Sequence, residues 1–359
     1  MSKFWNSSTR ALSPYVPGEQ PKDGQKLIKL NTNECPYPPS PKVISAICNA
    51  ADSKLRLYPN ADGLDARSAF AKRNGLAVDQ VFVGNGSDEV LAIAFQAFFG
   101  EEAIFLPQIS YSFYPVYCQL YGIDSVAVPM KDDFSVDVDA FCEQELNGKI
   151  CGGVAIANPN APTTKALSLD DIARILEAHP EKVVLIDEAY VDFGAESAIS
   201  LIDRYPNLLV VQTLSKSRAL AGLRVGFAAG SKELIEGMDR VKNCFNSYTL
   251  DRLAIAGAAA AMEDEEYFLE TRAKIIATRE RIAAKLRNMG FDLPDSSANF
   301  LFATHPNYDA EKLFLFLKSK NILVRYFSSP LLCKHLRISI GTDEEMDELI
   351  RAIEEYMAK

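Results

Sequence analysis

Leu208-Leu-Val-Val-Gln-Thr-Leu-Ser-Lys-Ser-Arg-Ala-Leu-Ala-Gly-Leu-Arg-Val-Gly226 is the stretch on which the reading of this chain turns. Its first seven residues form the short apolar run of a strand buried on both faces. Lys216 follows at the end of that run, ahead of a segment rich in Ala, Leu and Gly. A lysine amine held at the lip of an apolar layer is a nucleophile for a carbonyl. Arg224, a permanent cation a little further on, can hold a phosphate through paired hydrogen bonds. Most lysines are solvated surface residues, so Lys216 gains meaning from the rest of the chain or not at all.

Working outward, similar apolar runs stand at Val81–Val83, Ala103–Leu106, Ser125–Val128, Gly153–Ala157, Val183–Ile186 and Val225–Ala229, with helical segments between most of them. That alternation predicts an α/β fold: a mostly parallel sheet of the seven-stranded type with helices on both faces. At 359 residues the chain exceeds one typical core,. The pattern divides into an arm over residues 1–37, a large domain over 38–252 and a smaller α+β domain over 253–359. The arm is rich in proline and predicts extended chain with a short strand near Leu27–Leu30. It lies either on its own chain or on a neighbouring subunit. In the last part a charged helix reaches Asn288, strands are predicted at Phe300–Phe302, Leu323–Arg325 and Leu336–Ile340, and Thr342-Asp-Glu-Glu345 opens a final helix as a capping box. Ser168-Leu-Asp-Asp171 is a variant of the same device.

Composition narrows the classes. Thirty-eight basic against 48 acidic side chains give a net charge of −10, which argues against nucleic acid as a partner,. Seven cysteines without a short repeat fit reduced thiols better than a disulfide framework or a zinc ribbon, and no metal site is expected,. The first ten residues lack the apolar core of a signal peptide, and no stretch approaches the roughly 18 to 20 apolar residues of a membrane span. A cytoplasmic protein without a membrane partner is the expectation.

In open α/β sheets, ligands sit beyond the carboxyl ends of the strands. Four such ends are unusually polar: Gly84-Asn-Gly-Ser-Asp-Glu89, Asn158-Pro-Asn-Ala-Pro-Thr163, Asp187-Glu-Ala-Tyr190 and Thr213-Leu-Ser-Lys216. The first runs into a helix whose free amides suit a phosphate, although it also reads as a plain turn with acids in the first helical turn. It is not the dinucleotide fingerprint, whose third glycine is missing, which disfavours a dehydrogenase. Asp187 ends an aliphatic run, so its carboxylate needs a cationic partner or serves as a helix cap. The prolines of the second end hold two amides rigid, for a turn or for a ligand.

Taken together, Asn158 to Thr163, Asp187 to Tyr190, and Ser215-Lys216 with Arg224 resemble, in order and approximate spacing, the fold type I pyridoxal-phosphate aminotransferases. The resemblance covers nearly the whole chain. It leans toward the histidinol-phosphate aminotransferase branch through Tyr15-Val-Pro-Gly18, Leu30-Asn-Thr-Asn-Glu34, Leu57-Tyr-Pro59, Ser110-Tyr-Ser-Phe-Tyr114 and Leu220-Ala-Gly-Leu-Arg-Val-Gly226.

That resemblance implies pyridoxal 5'-phosphate as cofactor, with Lys216 bonded to its aldehyde and Asp187 paired with its ring nitrogen. Asn160 and Tyr190 are implied at the ring's phenolic oxygen and Tyr111 as the stacking aromatic. Ser87, Asp88, Thr213, Ser215 and Arg224 are implied around the phosphate, with Tyr58 reaching it from the partner of a homodimer. Lys216, Asp187 and Tyr190 are the implied catalytic group. Tyr15, Asn33, Asn299, Arg325 and Arg337 are implied on the substrate side, Arg337 against a carboxylate or phosphate. The implied activity is transamination between histidinol phosphate and 2-oxoglutarate. An aromatic amino acid aminotransferase and a threonine-phosphate decarboxylase share these motifs, and a non-catalytic cofactor-binding regulator is disfavoured by the absence of an added DNA-binding segment.

Overall fold

Runs of β-branched and aliphatic residues with no polar face bury both sides, and in this chain they assemble into one central sheet. The computed structural model describes residues 3–14, 19 and 27–359. The sheet is built from β1 (Val81–Gly84), β2 (Ala103–Pro107), β3 (Ser125–Val128), β4 (Lys149–Ala157), β5 (Val184–Asp187), β6 (Leu208–Thr213) and β7 (Gly226–Gly230). Their spatial order is β1-β7-β6-β5-β4-β2-β3. β7 runs antiparallel to both neighbours and the other pairs are parallel. A short strand, Glu145–Leu146, folds back on the start of β4, which is why β4 begins four residues earlier than its apolar run suggests.

Alternate residues of each strand enter opposite layers. Ile186, Val210 and Phe227 belong to one core with Phe70 and Phe105; Leu185, Leu209 and Ala228 belong to the other with Leu91 and Phe95. Register brings the strand ends level: Ala157 lies beside Asp187, Asp187 beside Val211, and Thr213 beside Gly226. The polar residues that follow β4, β5 and β6 therefore emerge along one edge.

A further core gathers Leu30, Ile275, Ile282, Leu301, Leu313, Ile338, Met346 and Ile353. It covers a three-stranded antiparallel sheet of β8 (Phe300–Thr304), β9 (Arg325–Tyr326) and β10 (His335–Ser339), in the order β8-β10-β9. Helix Arg252–Glu263 packs instead with the first core through Ala254, Ile255, Ala258 and Met262. The predicted strand Leu323–Arg325 is split. Ile322–Leu323 pairs in parallel with Ile28–Lys29 of the arm, whereas Arg325–Tyr326 pairs with β10. Two sheets compete for one run, and the arm takes its first half. Both expected capping boxes form, at Ser168 with Asp171 and at Thr342 with Glu345. Among the described residues no helix is long and apolar enough to cross a membrane.

Candidate active site

Asp187, the last residue of β5, is buried at the common strand edge, 4% exposed. Its Oδ2 accepts from the Tyr114 hydroxyl at 2.9 Å and its Oδ1 from the Ala189 amide at 3.2 Å. Burial outweighs these bonds and pushes its carboxyl up to about 6,. Lys216 stands beyond the end of β6. Its Nζ donates to the Thr32 carbonyl at 3.2 Å and lies 5.8 Å from the centre of the Tyr190 ring.

The other end of the cavity is built at the start of helix α1 (Gly86–Phe98), where amides lack partners within the helix,. Gly86 has a positive φ of 79°, and a Cβ there would lie 2.4 Å from Arg224 Nη2. Gly226 is needed for closeness alone, since its Cβ would lie 2.4 Å from the Ser87 amide nitrogen. Two glycines thus let β7 and the arginine press against the Ser87 turn. Thr213 Oγ1 accepts from the Ser215 amide at 3.1 Å, and Arg224 Nη1 approaches Ser215 Oγ at 3.5 Å. The acids of this turn face away from one another. Asp88 accepts from Arg224 Nη2 at 3.0 Å and from the Tyr111 hydroxyl at 2.6 Å, and Glu89 accepts from the Asn85 amide at 2.5 Å. Their charge is therefore already engaged.

Nine of the residues expected around a cofactor line one cavity of about 240 Å³: Ser87, Asp88, Tyr111, Asp187, Tyr190, Thr213, Ser215, Lys216 and Arg224. Two others do not. Asn160 is buried off the wall, with Nδ2 donating to the Ile109 carbonyl at 2.8 Å and to Thr163 Oγ1 at 2.9 Å, while Oδ1 accepts from Ser110 at 2.8 Å. Its amide has no donor left for a ligand, and Ala161 stands on the wall instead. Tyr58 is 78% exposed and stacks on Tyr248, ring centres 4.6 Å apart, away from the cavity of its own chain.

A second chamber of about 440 Å³ shares Thr32, Tyr111, Ala161, Tyr190 and Lys216 with the first, so Lys216 sits at the junction. Asn33, Arg325 and Arg337 line it. Arg337 Nη2 donates to the Asn31 carbonyl at 2.8 Å, and Asn33 Nδ2 donates to the Tyr190 hydroxyl at 3.0 Å. Asn299 supports the wall from behind, its Nδ2 donating to the Asn33 carbonyl at 3.0 Å. Tyr15 lies outside the described residues.

Residues not anticipated as site members are Tyr114, under Asp187, and the pair Thr32 and Glu34 on the cavity wall. Tyr114 and Glu34 were visible as the ends of two polar or aromatic runs, Ser110–Tyr114 and Leu30–Glu34.

The cavity offers an amine, a buried carboxylate and, opposite them, a helix start with hydroxyls and a guanidinium. Such a set fits an aldehyde-bearing, phosphorylated, basic ring: the carboxylate that burial disfavours finds a cation, and the helix start an anion. Fold and cavity together define an α/β enzyme working through a lysine and a phosphorylated cofactor. Residues 25–353 match the family model for aminotransferase class I and II, and the chain belongs to that family. It is a pyridoxal-phosphate-dependent aminotransferase. Among relatives, it is 55% identical over 359 residues to the histidinol-phosphate aminotransferase of Clostridium acetobutylicum, covering all of both chains. The same identity and coverage hold for histidinol-phosphate aminotransferase 1 of Bordetella parapertussis. The crystal structure of the histidinol-phosphate aminotransferase of Sinorhizobium meliloti in complex with pyridoxal-5'-phosphate superposes with a TM-score of 0.85 at 25% identity, over 98% of this chain and 99% of that one.

Proposed function

We propose that this enzyme exchanges the amino group of L-histidinol phosphate with 2-oxoglutarate, giving imidazole-acetol phosphate and L-glutamate, as a step of histidine biosynthesis. The observation that carries the reading is the second chamber, which Arg325 and Arg337 line together with Lys216. Two guanidiniums suit a phosphate on one substrate and the distal carboxylate of the other. The names of the full-length relatives support the same choice.

Bound pyridoxal phosphate supplies an aldehyde for the substrate amine and a ring that draws electrons from the α-carbon. The chain's residues do the rest. Asp187, ionised beside the ring nitrogen, keeps that nitrogen protonated. Tyr111 covers the ring; Ser87, Thr213, Ser215 and Arg224 hold the phosphate. Tyr190, oriented by Asn33, donates toward the ring's phenolic oxygen, with Asn160 bracing the turn rather than touching the ring. Lys216 would act as the base and acid that moves the proton at the substrate α-carbon.

We further propose a homodimer in which Tyr58 reaches the partner's phosphate end. Leu55, Leu57, Tyr58, Phe245 and Tyr248, all exposed in one chain, suit burial against a second copy,. An arm, a large domain and a small domain that begins near Asp264, in a cytoplasmic enzyme, complete the reading.

The test is a substrate panel. With 2-oxoglutarate as acceptor, histidinol phosphate should turn over far faster than phenylalanine or tyrosine. Threonine phosphate losing carbon dioxide without an acceptor would overturn the assignment. Borohydride reduction of the holoenzyme should fix the cofactor to the peptide that contains Lys216.

A further inference from the structure

Four consecutive residues entering from the arm, Asn31 to Glu34, reach several site groups at once. The Asn31 carbonyl accepts from Arg337, the Thr32 carbonyl from Lys216, and Asn33 donates to Tyr190. Behind Thr32 lies a small charged cluster. Thr32 Oγ1 donates to Glu34 Oε2 at 2.7 Å, Lys29 Nζ donates to Thr32 Oγ1 at 2.6 Å, and Lys29 is ion-paired with Glu34. Lys29 is largely covered, while Glu34 is turned onto the wall of the cavity that holds Lys216.

The segment cannot drift. Its base is a strand pair, with the Leu30 amide donating to the Leu323 carbonyl at 2.7 Å. Asn33 adopts a left-handed φ of 57° and is clamped by Ser339, whose Oγ accepts from its amide at 2.9 Å and donates to its Oδ1 at 2.8 Å. An exposed lysine–glutamate pair contributes little to stability. This one stands on the wall of the cavity that also holds the reacting amine, where a fixed charge acts strongly.

We propose that the Thr32 carbonyl, backed by Glu34, is the resting place of the Lys216 amine whenever it is not bonded to the cofactor, and that Glu34 is a positioning residue acting on the reaction through it. The inference rests on the reading of Lys216 as the proton carrier. As the proton leaves the substrate α-carbon for Lys216 Nζ, the amine becomes an ammonium; the Glu34 charge and the Thr32 carbonyl stabilise it there until the proton passes on. Glu34 stays ionised and receives no proton. Lys29 weakens its field. The other charged or titratable groups lining the two chambers around the amine are Asp187, Tyr190, Tyr111, the Arg224–Asp88 pair, Arg325 and Arg337. They stay the same in the variants below and form a constant background.

The test compares Glu34→Gln with Lys29→Met. In the cofactor-free protein at one fixed pH, labelling of Lys216 by trinitrobenzenesulfonate is followed by peptide mass. Removing Glu34 should speed labelling roughly three- to tenfold, and removing Lys29 should slow it, because one variant deletes the stabilising charge and the other its neutraliser. In the holoenzyme, Glu34→Gln should slow α-proton release in a single turnover about tenfold, with Glu34→Asp recovering most of it. A damaged fold would shift both variants the same way, so shifts in one direction, or no change in Glu34→Gln, overturn the proposal. Lys216→Ala tests the underlying reading separately: retained transamination would sink that reading, whereas an inactive Lys216→Ala with unchanged labelling in Glu34→Gln sinks the resting place alone.

Discussion

The Tyr114 hydroxyl donates to Asp187 Oδ2 at 2.9 Å beneath the floor of the cavity, with both residues almost fully covered. A carboxylate so placed is costly while it lacks a cation. Its folded value near 6 lies well above the ordinary carboxylate range. A raised carboxyl contributes stability that is complete below the unfolded value and is lost as pH rises through the folded one. That rise corresponds to a cost on the order of 3 kcal/mol above pH 6 in the cofactor-free protein,.

Asp187→Asn should therefore stabilise the cofactor-free protein at pH 8 by about 1 to 3 kcal/mol, with the gain disappearing toward pH 4. The same variant should bind cofactor more weakly and lose at least about a hundredfold in turnover, since the ring nitrogen loses its counter-charge. Urea unfolding of the cofactor-free variant at several pH values reads the first effect. A variant less stable than the parent at pH 8 would contradict the buried-charge account.

Arg224 carries the next prediction. Its guanidinium spans Asp88 and Ser215, and its backbone sits in the left-handed region at φ 56°. Arg224→Ala should weaken cofactor binding by about ten- to a hundredfold, the worth of a charged hydrogen-bond donor. Arg224→Lys should recover part of the affinity, because a point charge replaces the fork. Equilibrium dialysis of the cofactor decides; unchanged affinity in Arg224→Ala would remove this residue from the phosphate end.

The sheet was legible because its strands carry a local signal, an apolar run with a polar end, and register then aligns those ends without further information. Lys216, Asp187 and Tyr190 were legible as members of one cavity wall for that reason. Asn160 was not. Whether a turn amide faces a ligand or the protein depends on partners such as the Ile109 carbonyl and Ser110, some fifty positions earlier. The second chamber was harder still, since Asn33, Tyr190 and Arg337 meet there from three distant parts of the chain. Convergence of that kind has no short-range trace.

Close approach of backbones makes Gly226 a sharp test. Alanine there would bring its Cβ within 2.4 Å of the Ser87 amide nitrogen, whereas Gly222 has nothing within 4 Å of the same position. Gly226→Ala should cost about 1 to 3 kcal/mol of stability and displace the amide that faces the phosphate end, so cofactor affinity falls with it. Gly222→Ala serves as the control and should leave cofactor affinity within twofold. Thermal unfolding with and without cofactor separates the two losses.

The exposed Tyr58 ring stacks on Tyr248 yet touches nothing of its own cavity. Deleting it should leave the fold of a single chain intact, because so little of it is buried there. If Tyr58 completes the partner's site, Tyr58→Ala should weaken cofactor binding while the dimer persists. Leu57→Asp with Phe245→Asp, which places charges on the same apolar face, should shift the sedimentation profile toward monomer and lower cofactor affinity at least as far as Tyr58→Ala does. Heterodimers settle the geometry: pairing a Tyr58→Ala chain with a Lys216→Ala chain gives one competent lysine whose phosphate end faces either an intact or a truncated tyrosine. With Tyr58 acting across the interface, the competent lysine lies in the Tyr58→Ala chain and receives the intact tyrosine from its partner, so the mixed dimer should show cofactor affinity near the parent value at that site. With Tyr58 acting within its own chain, the same site would be as weak as in the Tyr58→Ala homodimer.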